Sequence, residues 1–208
     1  MLAVRLPVPA LSWTVASWIR PPAGQASSIF LAVSNGQLAV DVSGSAVILA
    51  HDGLETARIV YGPLPVDRWS HFAIAYNSAM RTLEVFVDGS KAASASAAAP
   101  ALRAFAFGGD CAGYRFSDLV AYRVPLRQGE VAELVEFQVP RRSLEFWSRL
   151  ASSPSLPSTP NEAWSASSAQ VSGGWSLVGD VPGGACLAVP EVPGTNPPSL
   201  DNRVEKQQ

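Results

Sequence analysis

Short apolar runs separated by turn residues dominate the first 125 positions of the chain. Leu38 and Val40 alternate with small or polar residues, which is the period-two pattern of a half-buried strand. Asn35-Gly36 lies between two such runs and predicts a tight hairpin, because both central residues of that turn need positive φ. Asp88-Gly89 predicts a second hairpin for the same reason. The pattern therefore predicts an all-β chain of many short antiparallel strands.

The segment 69–76 is apolar on both of its faces. Phe72 and Ile74 share one face of the predicted strand, and Trp69 and Ala73 share the other. A strand of this kind is usually central in its sheet and covered on both sides. Together with the preceding and following strands, it predicts a core built from Trp13, Trp18, Trp69, His71, Phe72, Ile74, Val85 and Val87.

The period changes after Pro125. Apolar residues at Val131, Leu134 and Phe137 recur at helical spacing, so that residues 128–137 are predicted to form a short amphipathic helix.

Composition divides the rest of the chain into three parts. Residues 141–170 are rich in serine and proline and predict an irregular connection. Residues 171–192 regain apolar character and predict one or two additional strands that pack on the sheets. Residues 193–208 are polar and proline-rich, and predict a tail that is flexible or bound to a partner.

Charge and composition exclude several classes of function. The net charge is −2 and no basic cluster is larger than Arg141-Arg142, so nucleic-acid binding by phosphate neutralisation is not expected. No apolar stretch approaches the roughly 20 residues that span a bilayer. Pro7 and Pro9 interrupt the beginning of the sequence, where we expect no signal peptide. Cys111 and Cys186 make neither a disulfide scaffold nor a zinc site, and whether they pair stays open.

Four segments occur in an order that is more specific than any one of them. They are WTVASWIRP at 13–21, WSHFAIAY at 69–76, LEVFVDG at 83–89, and FSDLVAYR at 116–123 with Leu126 and Glu130 after it. This set resembles the laminin-G-like branch of the concanavalin A-like jelly-roll domains, a family of lectins and glucanases. The resemblance implies that residues 1–140 form a two-sheet antiparallel jelly-roll β-sandwich, with one short helix after the last core strand and an irregular C-terminal arm.

Some relatives on this fold hydrolyse glycosides, which requires two carboxylates on either side of the scissile bond. The chain has no strand of closely alternating Glu and Asp residues. Glu84 and Asp88 would share one face of a strand, but the turn already accounts for Asp88. His71 lies in an apolar strand, where a buried histidine tied to a backbone group is expected rather than a general base or metal ligand. We therefore expect no catalytic residue and no enzymatic activity.

The resemblance also raises the question of calcium, since many relatives bind Ca²⁺ at the rim of the sandwich. Ca²⁺ needs six to eight oxygen ligands. Asp52, Asp110 and Asp118 are the candidate donors, although aspartates in these positions are also ordinary turn residues. The expectation is a domain with no cofactor or with a calcium ion at these three residues.

A sugar site would need an exposed aromatic platform with polar groups beside it. Trp13, Trp18 and Trp69 fit the core better than such a platform. The candidate ligand-binding residues are therefore Tyr61, Tyr114 and Trp175, with the alternative that these rings cover the edges of the core.

Three functions fit these features. The first is a structural or recognition component of a virion, such as a bacteriophage capsid decoration or tail protein, which binds neighbouring subunits or host-surface glycans. The alternative is an extracellular lectin-like module that binds carbohydrate with or without calcium, whose export signal would lie outside this sequence. A glycoside hydrolase is the third. The expected partners are protein subunits and glycans, without nucleic acid and without membrane insertion.

Overall fold

Fifteen strands and one helix form the described part of the computed structural model, which covers residues 2–23, 29–34, 37–41, 45–51, 54–108, 113–150, 161–163, 165, 167–171, 176–181 and 184–188. The strands are β1 (Leu2–Ala10), β2 (Trp13–Arg20), β3 (Ile29–Val33), β4 (Leu38–Asp41), β5 (Ala46–His51), β6 (Leu54–Val60), β7 (Ser70–Asn77), β8 (Thr82–Val87), β9 (Ser90–Ser96), β10 (Leu102–Phe107), β11 (Arg115–Tyr122), β12 (Leu144–Ser148), β13 (Ser168–Val171), β14 (Ser176–Val181) and β15 (Gly184–Ala188), and the helix is α1 (Gln128–Val135).

The strands form two antiparallel sheets. The first sheet has seven strands in the order β13-β1-β10-β3-β4-β5-β6. The second has the order β14-β15-β11-β2-β7-β8-β9, with β12 as an eighth strand paired to β11. The two sheets pack face to face through a shared apolar core. This arrangement confirms the predicted all-β jelly-roll sandwich.

Strand β7 lies between β2 and β8 in the second sheet, as its two apolar faces predict. Every residue of this strand is buried except the last, Asn77. The core prediction for Trp69 is wrong, because the strand begins at Ser70 and the tryptophan, in the turn before it, is only half-buried. Val87 is also half-buried, since it is the last residue of β8. The other six predicted core residues, Trp13, Trp18, His71, Phe72, Ile74 and Val85, are buried.

The second sheet is covered on both faces. Phe72 and Ile74 point into the core between the sheets. Ala73 and Ala75, one position out of phase, belong to a second apolar cluster on the outer face, together with Leu134 of α1. The two alanines leave room for the helix to approach the sheet. The second sheet therefore separates a main core from a smaller one under α1.

Helix α1 begins after a proline and ends earlier than the sequence predicts. Glu130 accepts a hydrogen bond from the backbone N–H of Arg127 at 3.0 Å, which satisfies one amide at the helix start. At the other end, the N–H of Phe137 bonds the carbonyl of Leu134 at 3.1 Å, and the next N–H bonds that of Glu133 at 2.9 Å. These two bonds form a Schellman motif. Phe137 therefore lies beyond the helix rather than on its apolar face.

Three strands, β1, β12 and β13, were not predicted from the sequence. Residues 2–10 form β1, which lies between β10 and β13 in the first sheet. Residues 144–148 form β12, so the predicted connection over 141–170 contains a complete strand as well as most of β13. Within 171–192, β14 and β15 pair with each other and β15 pairs with β11. The predicted tail at 193–208 lies outside the described residues. Among the described residues, no helix combines the length and apolarity that crossing a bilayer requires.

Candidate functional site

A row of side chains crosses the outer face of the second sheet beyond the end of α1. His71 of β7 pairs with Trp18 of β2, and Trp18 pairs on its other side with Ser117 of β11. The imidazole meets the indole edge to face, with ring centroids 5.4 Å apart and an interplanar angle of 73°. Because paired residues of adjacent strands share one face, this row forms a flat floor.

A β-bulge in β11 brings an acidic side chain to the same face. Two residues of β11, Asp118 and Leu119, oppose the single residue Ser17 of β2, and Asp118 adopts φ 49°. Phe116 points into the core between the sheets, so strict alternation would also point Asp118 into that core. The extra residue instead leaves the Asp118 carboxylate on the outer face, where it accepts a hydrogen bond from the Ser117 hydroxyl at 2.9 Å.

Phe137 forms one rim above this floor. Its ring stacks on Trp18 with centroids 5.5 Å apart and an interplanar angle of 15°, and 43% of its surface remains exposed. Its φ is 59°, in the left-handed region where the C′ position of a Schellman motif normally has glycine. A bulky residue in this conformation is an outlier, and such strain is concentrated at functional sites.

Trp147 of β12 and two arginines form the opposite rim. The guanidinium carbon of Arg141 lies 4.8 Å from the indole centre and that of Arg149 lies 5.2 Å from it, which is the range of cation–π contacts. Asn161 accepts the backbone N–H of Trp147 at 3.0 Å and so fixes the end of β12. Glu162 pairs with Arg149 at 3.5 Å.

Together these elements enclose a groove of about 310 Å³, the small end of the range for ligand pockets. Among the described residues, only five buried side-chain polar atoms lack a hydrogen-bond partner, and three of them belong to residues of this groove: Nε1 of Trp18, Nδ1 of His71 and Nε1 of Trp147. Unsatisfied buried groups are rare in native proteins. We call this site the aromatic groove; its lining consists of Trp18, His71, Asp118, Val120, Leu134, Phe137, Val139, Arg141, Trp147 and Arg149.

Burial controls the charge of the two titratable groups on the floor. It lowers the pKa of His71 from its ordinary value near 6.5 to about 4, so the imidazole is neutral at pH 7. Burial also raises the pKa of the Asp118 carboxyl, while the Ser117 hydroxyl, the Trp147 indole and the Arg149 charge oppose that rise. The indole acts on Asp118 at close range although its Nε1 reaches no partner with hydrogen-bond geometry.

The aromatic residues proposed from the sequence lie elsewhere. Tyr61 is buried beside Phe72, with ring centroids 5.3 Å apart, and donates its hydroxyl to the Asp41 carbonyl at 3.2 Å. Tyr114 is buried against Phe116, with centroids 6.1 Å apart. Both rings face the main core, so the prediction that they form an exposed platform is wrong. Trp175 lies outside the described residues.

Of the proposed calcium ligands, the structure describes only Asp118, because Asp52 and Asp110 lie outside the described residues. Within the described ranges, no group of three or more His, Cys, Asp or Glu side chains is arranged to hold a metal ion. Asp118 itself faces the aromatic groove.

The other acidic and basic residues discussed for catalysis have structural partners. Glu84 forms an ion pair with Lys91 at 2.5 Å. Asp88 occupies the β8–β9 turn at φ 49° and accepts the backbone N–H of His71 at 2.8 Å. His71 is buried as predicted. Its backbone N–H is hydrogen-bonded to Asp88, whereas Nδ1 of its imidazole has no hydrogen-bond partner among the described residues.

Comparison with known proteins identifies the family. Residues 3–132 match the family model of the concanavalin A-like lectin/glucanases superfamily. The chain belongs to this superfamily. The match spans well over half of the chain and confirms the resemblance of the four sequence segments. No curated protein sequence matches this superfamily member.

Solved structures share the fold of this superfamily member at low identity. A proposed carbohydrate-binding protein from Bacteroides ovatus aligns with a TM-score of 0.62 and 12% identity, over 81% of this chain and 55% of that one. The binding domain of botulinum neurotoxin serotype D aligns with a TM-score of 0.50 and 13% identity, over 64% of this chain and 38% of that one. This chain thus spans little more than half the length of the first structure and less than half of the second.

Proposed function

We propose that this chain is a non-catalytic module that binds glycans in the aromatic groove. The observation that carries the proposal is the convergence of the strained and exposed Phe137, the bulge residue Asp118 and three unpartnered polar atoms around one concave site. Left-handed strain and unsatisfied buried polar atoms both cost stability, and a ligand in the groove would supply partners that these polar atoms lack among the described residues.

The chemistry of the groove suits a sugar. Phe137 offers an exposed ring edge and face to the apolar side of a pyranose, which aromatic side chains contact favourably. Asp118 accepts hydrogen bonds from hydroxyl groups, while the guanidinium of Arg141 and the Trp147 indole donate them. The groove presents polar and apolar surface in similar amounts, and convergent polar groups are what orient a ligand in a small-molecule site.

The fold supports the same class of ligand. The Bacteroides ovatus structure is described as a carbohydrate-binding protein and the second as a neurotoxin binding domain. At 12% and 13% identity these likenesses establish the architecture, and the assignment to glycans is our inference from the groove.

We propose a non-catalytic module because the described part of the groove does not present the two carboxyl groups that glycoside hydrolysis requires. Asp118 is the acidic side chain among the described residues that line the aromatic groove, and the nearby Glu162 is paired with Arg149. Hydrolysis by the usual glycosidase mechanisms needs two carboxyl groups facing the scissile bond. His71 is neutral and buried, and its imidazole contacts the Trp18 ring.

A glycan array followed by calorimetry on the strongest ligand tests the proposal. Phe137→Ala removes the exposed ring, and we expect the affinity to fall by at least about tenfold, roughly the value of one aromatic contact. Val139→Trp fills the same groove and is expected to abolish binding. Met80→Ala is the matched control, because Met80 is an exposed apolar residue (72%) that lines a different cavity.

The control variant should bind as the unmodified chain does, and the glycan should be recovered intact after incubation. Failure of every glycan to bind, or equal binding by all three variants with unchanged circular dichroism, would overturn the proposal. Repeating the titration with a chelator tests the calcium prediction. The virion setting, with neighbouring subunits as partners, stays a prediction from the sequence, as does the extracellular alternative.

A further inference from the structure

Arg141 is a cation of the aromatic groove that forms no ion pair with any described residue. The adjacent Arg142 pairs with Glu130 at 2.6 Å, on the side of a different cavity. Arg149 pairs with Glu162. Among the described residues, no carboxylate forms an ion pair with Arg141, and its contact is with the Trp147 ring. Within the described part of the chain, Arg141 is therefore the groove cation whose guanidinium has no carboxylate in contact with it.

The Trp147 ring holds the guanidinium of Arg141 in place. The guanidinium carbon lies 4.8 Å from the indole centre, although the arginine is exposed. An exposed arginine ordinarily loses considerable rotamer freedom when it binds a ligand, and stacking on a fixed aromatic ring reduces that loss. Trp147 is itself held in place, since its side chain is buried and Asn161 accepts its backbone N–H within β12.

The other charged residues of the groove contact one another. Burial raises the pKa of Asp118, and the charge of Arg149 opposes that rise. Arg149 in turn contacts Glu162, whose charge adds to the rise. These three residues form one linked set, two carboxyl groups around one guanidinium, on the side of the groove formed by β11 and β12. Arg141 forms no ion pair with this set and can bind an anion without losing a carboxylate partner.

From these contacts we infer that the aromatic groove selects acidic glycans, with Arg141 binding a carboxylate or sulfate group on the sugar. This inference rests on the proposed glycan-binding function and specifies its ligand class. Arg141 donates a pair of N–H groups to the anionic oxygens, since a planar guanidinium matches a carboxylate or sulfate through two parallel bonds. Asp118 faces the hydroxyl-bearing part of the same sugar, where an acceptor is needed and an anion would be repelled.

A matched pair of ligands tests the inference. A uronic-acid oligosaccharide is compared by calorimetry with the same oligosaccharide after carboxyl reduction, and a sulfated oligosaccharide with its desulfated form. The unmodified chain is expected to bind at least one acidic form about tenfold more tightly than its neutral counterpart, as one charge-assisted pair provides. The arm that shows the preference identifies carboxylate or sulfate as the anion.

Variants of two neighbouring arginines assign the preference to one residue. Arg141→Ala should reduce the preference to less than about twofold, because the contact with the anionic group is lost, whereas the loss of a hydrogen-bond donor to hydroxyl groups weakens both forms alike. Arg141→Lys should restore part of it, since lysine retains the charge without the planar fork. Arg142→Ala removes a positive charge from the next residue in the sequence, which faces a different cavity, and should leave the preference intact.

Equal binding of acidic and neutral forms by the unmodified chain overturns the inference, as does a preference that survives Arg141→Ala. In both cases a neutral glycan whose binding is lost in Phe137→Ala would leave the proposed function in place. If neither form binds, the proposed function and the inference fall together.

Discussion

Replacing Phe137 by alanine and by glycine separates the value of its ring from the cost of its backbone conformation. Both substitutions remove the same aromatic contact. Only glycine also relieves the left-handed φ of 59°, because it has no Cβ to clash with the neighbouring carbonyl. The two variants therefore differ in the free energy of unfolding by the relief of strain, less the extra conformational entropy that glycine gives the unfolded chain.

The contact with Trp18 sets the size of the common loss. A fully buried phenylalanine removes about 200 Å² from water, and at about 25 cal/mol per Å² the buried half of Phe137 is worth roughly 2 to 3 kcal/mol. Stacking at 5.5 Å adds about 1 kcal/mol. Alanine should thus lower the free energy of unfolding by about 3 kcal/mol, and glycine by about 2 kcal/mol, since relief of the left-handed strain returns roughly 1 kcal/mol.

Urea denaturation followed by tryptophan fluorescence measures both values in one experiment. At an ordinary helical position, glycine is the less stable of the two by about 1 kcal/mol, so the order of the variants is diagnostic. An alanine variant equal to or more stable than the glycine variant would refute the assignment of strain to Phe137. Both variants should bind glycans at least about tenfold more weakly than the unmodified chain, because neither has the ring.

Two further predictions concern stability at other positions. Burial lowers the pKa of His71 from 6.5 in the unfolded chain to about 4 in the folded chain, so the unfolded state binds more protons between these two pH values. The contribution of the neutral His71 to stability is therefore complete above pH 6.5 and is lost as the pH falls towards 4. At 1.36 kcal/mol per pKa unit, the unmodified chain should lose about 3 kcal/mol more than His71→Gln between pH 7 and pH 4, as measured by denaturation at each pH; parallel curves would contradict this. Gly89→Ala should destabilise by at least about 1 kcal/mol, since a Cβ at φ 77° would lie 3.3 Å from the Cα of Ala132. Gly129→Ala, with open space around it in α1, should stabilise by about 0.5 to 1 kcal/mol, and thermal melts that show the same sign for both would rule out this explanation.

The local patterns of the sequence predict the sandwich well because they reflect backbone geometry. The Asp88-Gly89 turn forms as expected, and Gly89 adopts the positive φ that such turns require. Residues with two apolar faces become β7, covered by two clusters. The Asn35-Gly36 turn lies outside the described residues, but its flanking strands pair with Val33 opposite Leu38.

The aromatic groove could not be predicted in the same way, because it depends on long-range placement. Trp147 and its two arginines belong to a segment that composition marks as irregular, and they join the sheet only because β12 pairs with β11. Asp118 reaches the groove through one extra residue in β11, which no alternation pattern in a single sequence reveals. Phe137 fits the helical period of α1, and only the Schellman bonds show that it turns away. The Arg141-Arg142 pair was the one visible signal, although its two members face different cavities.

The two-sided burial of the second sheet has a consequence for how such a domain can change over time. The floor of the groove is made by central strands β2, β7 and β11, whose substitution would disturb packing above and below at once. The rim is made by residues 137–149, which approach from the end of a helix and from one outlying strand. Substitutions there change the lining of the groove without entering the main core between the sheets, so the same scaffold can carry different groove linings through changes at a handful of rim positions.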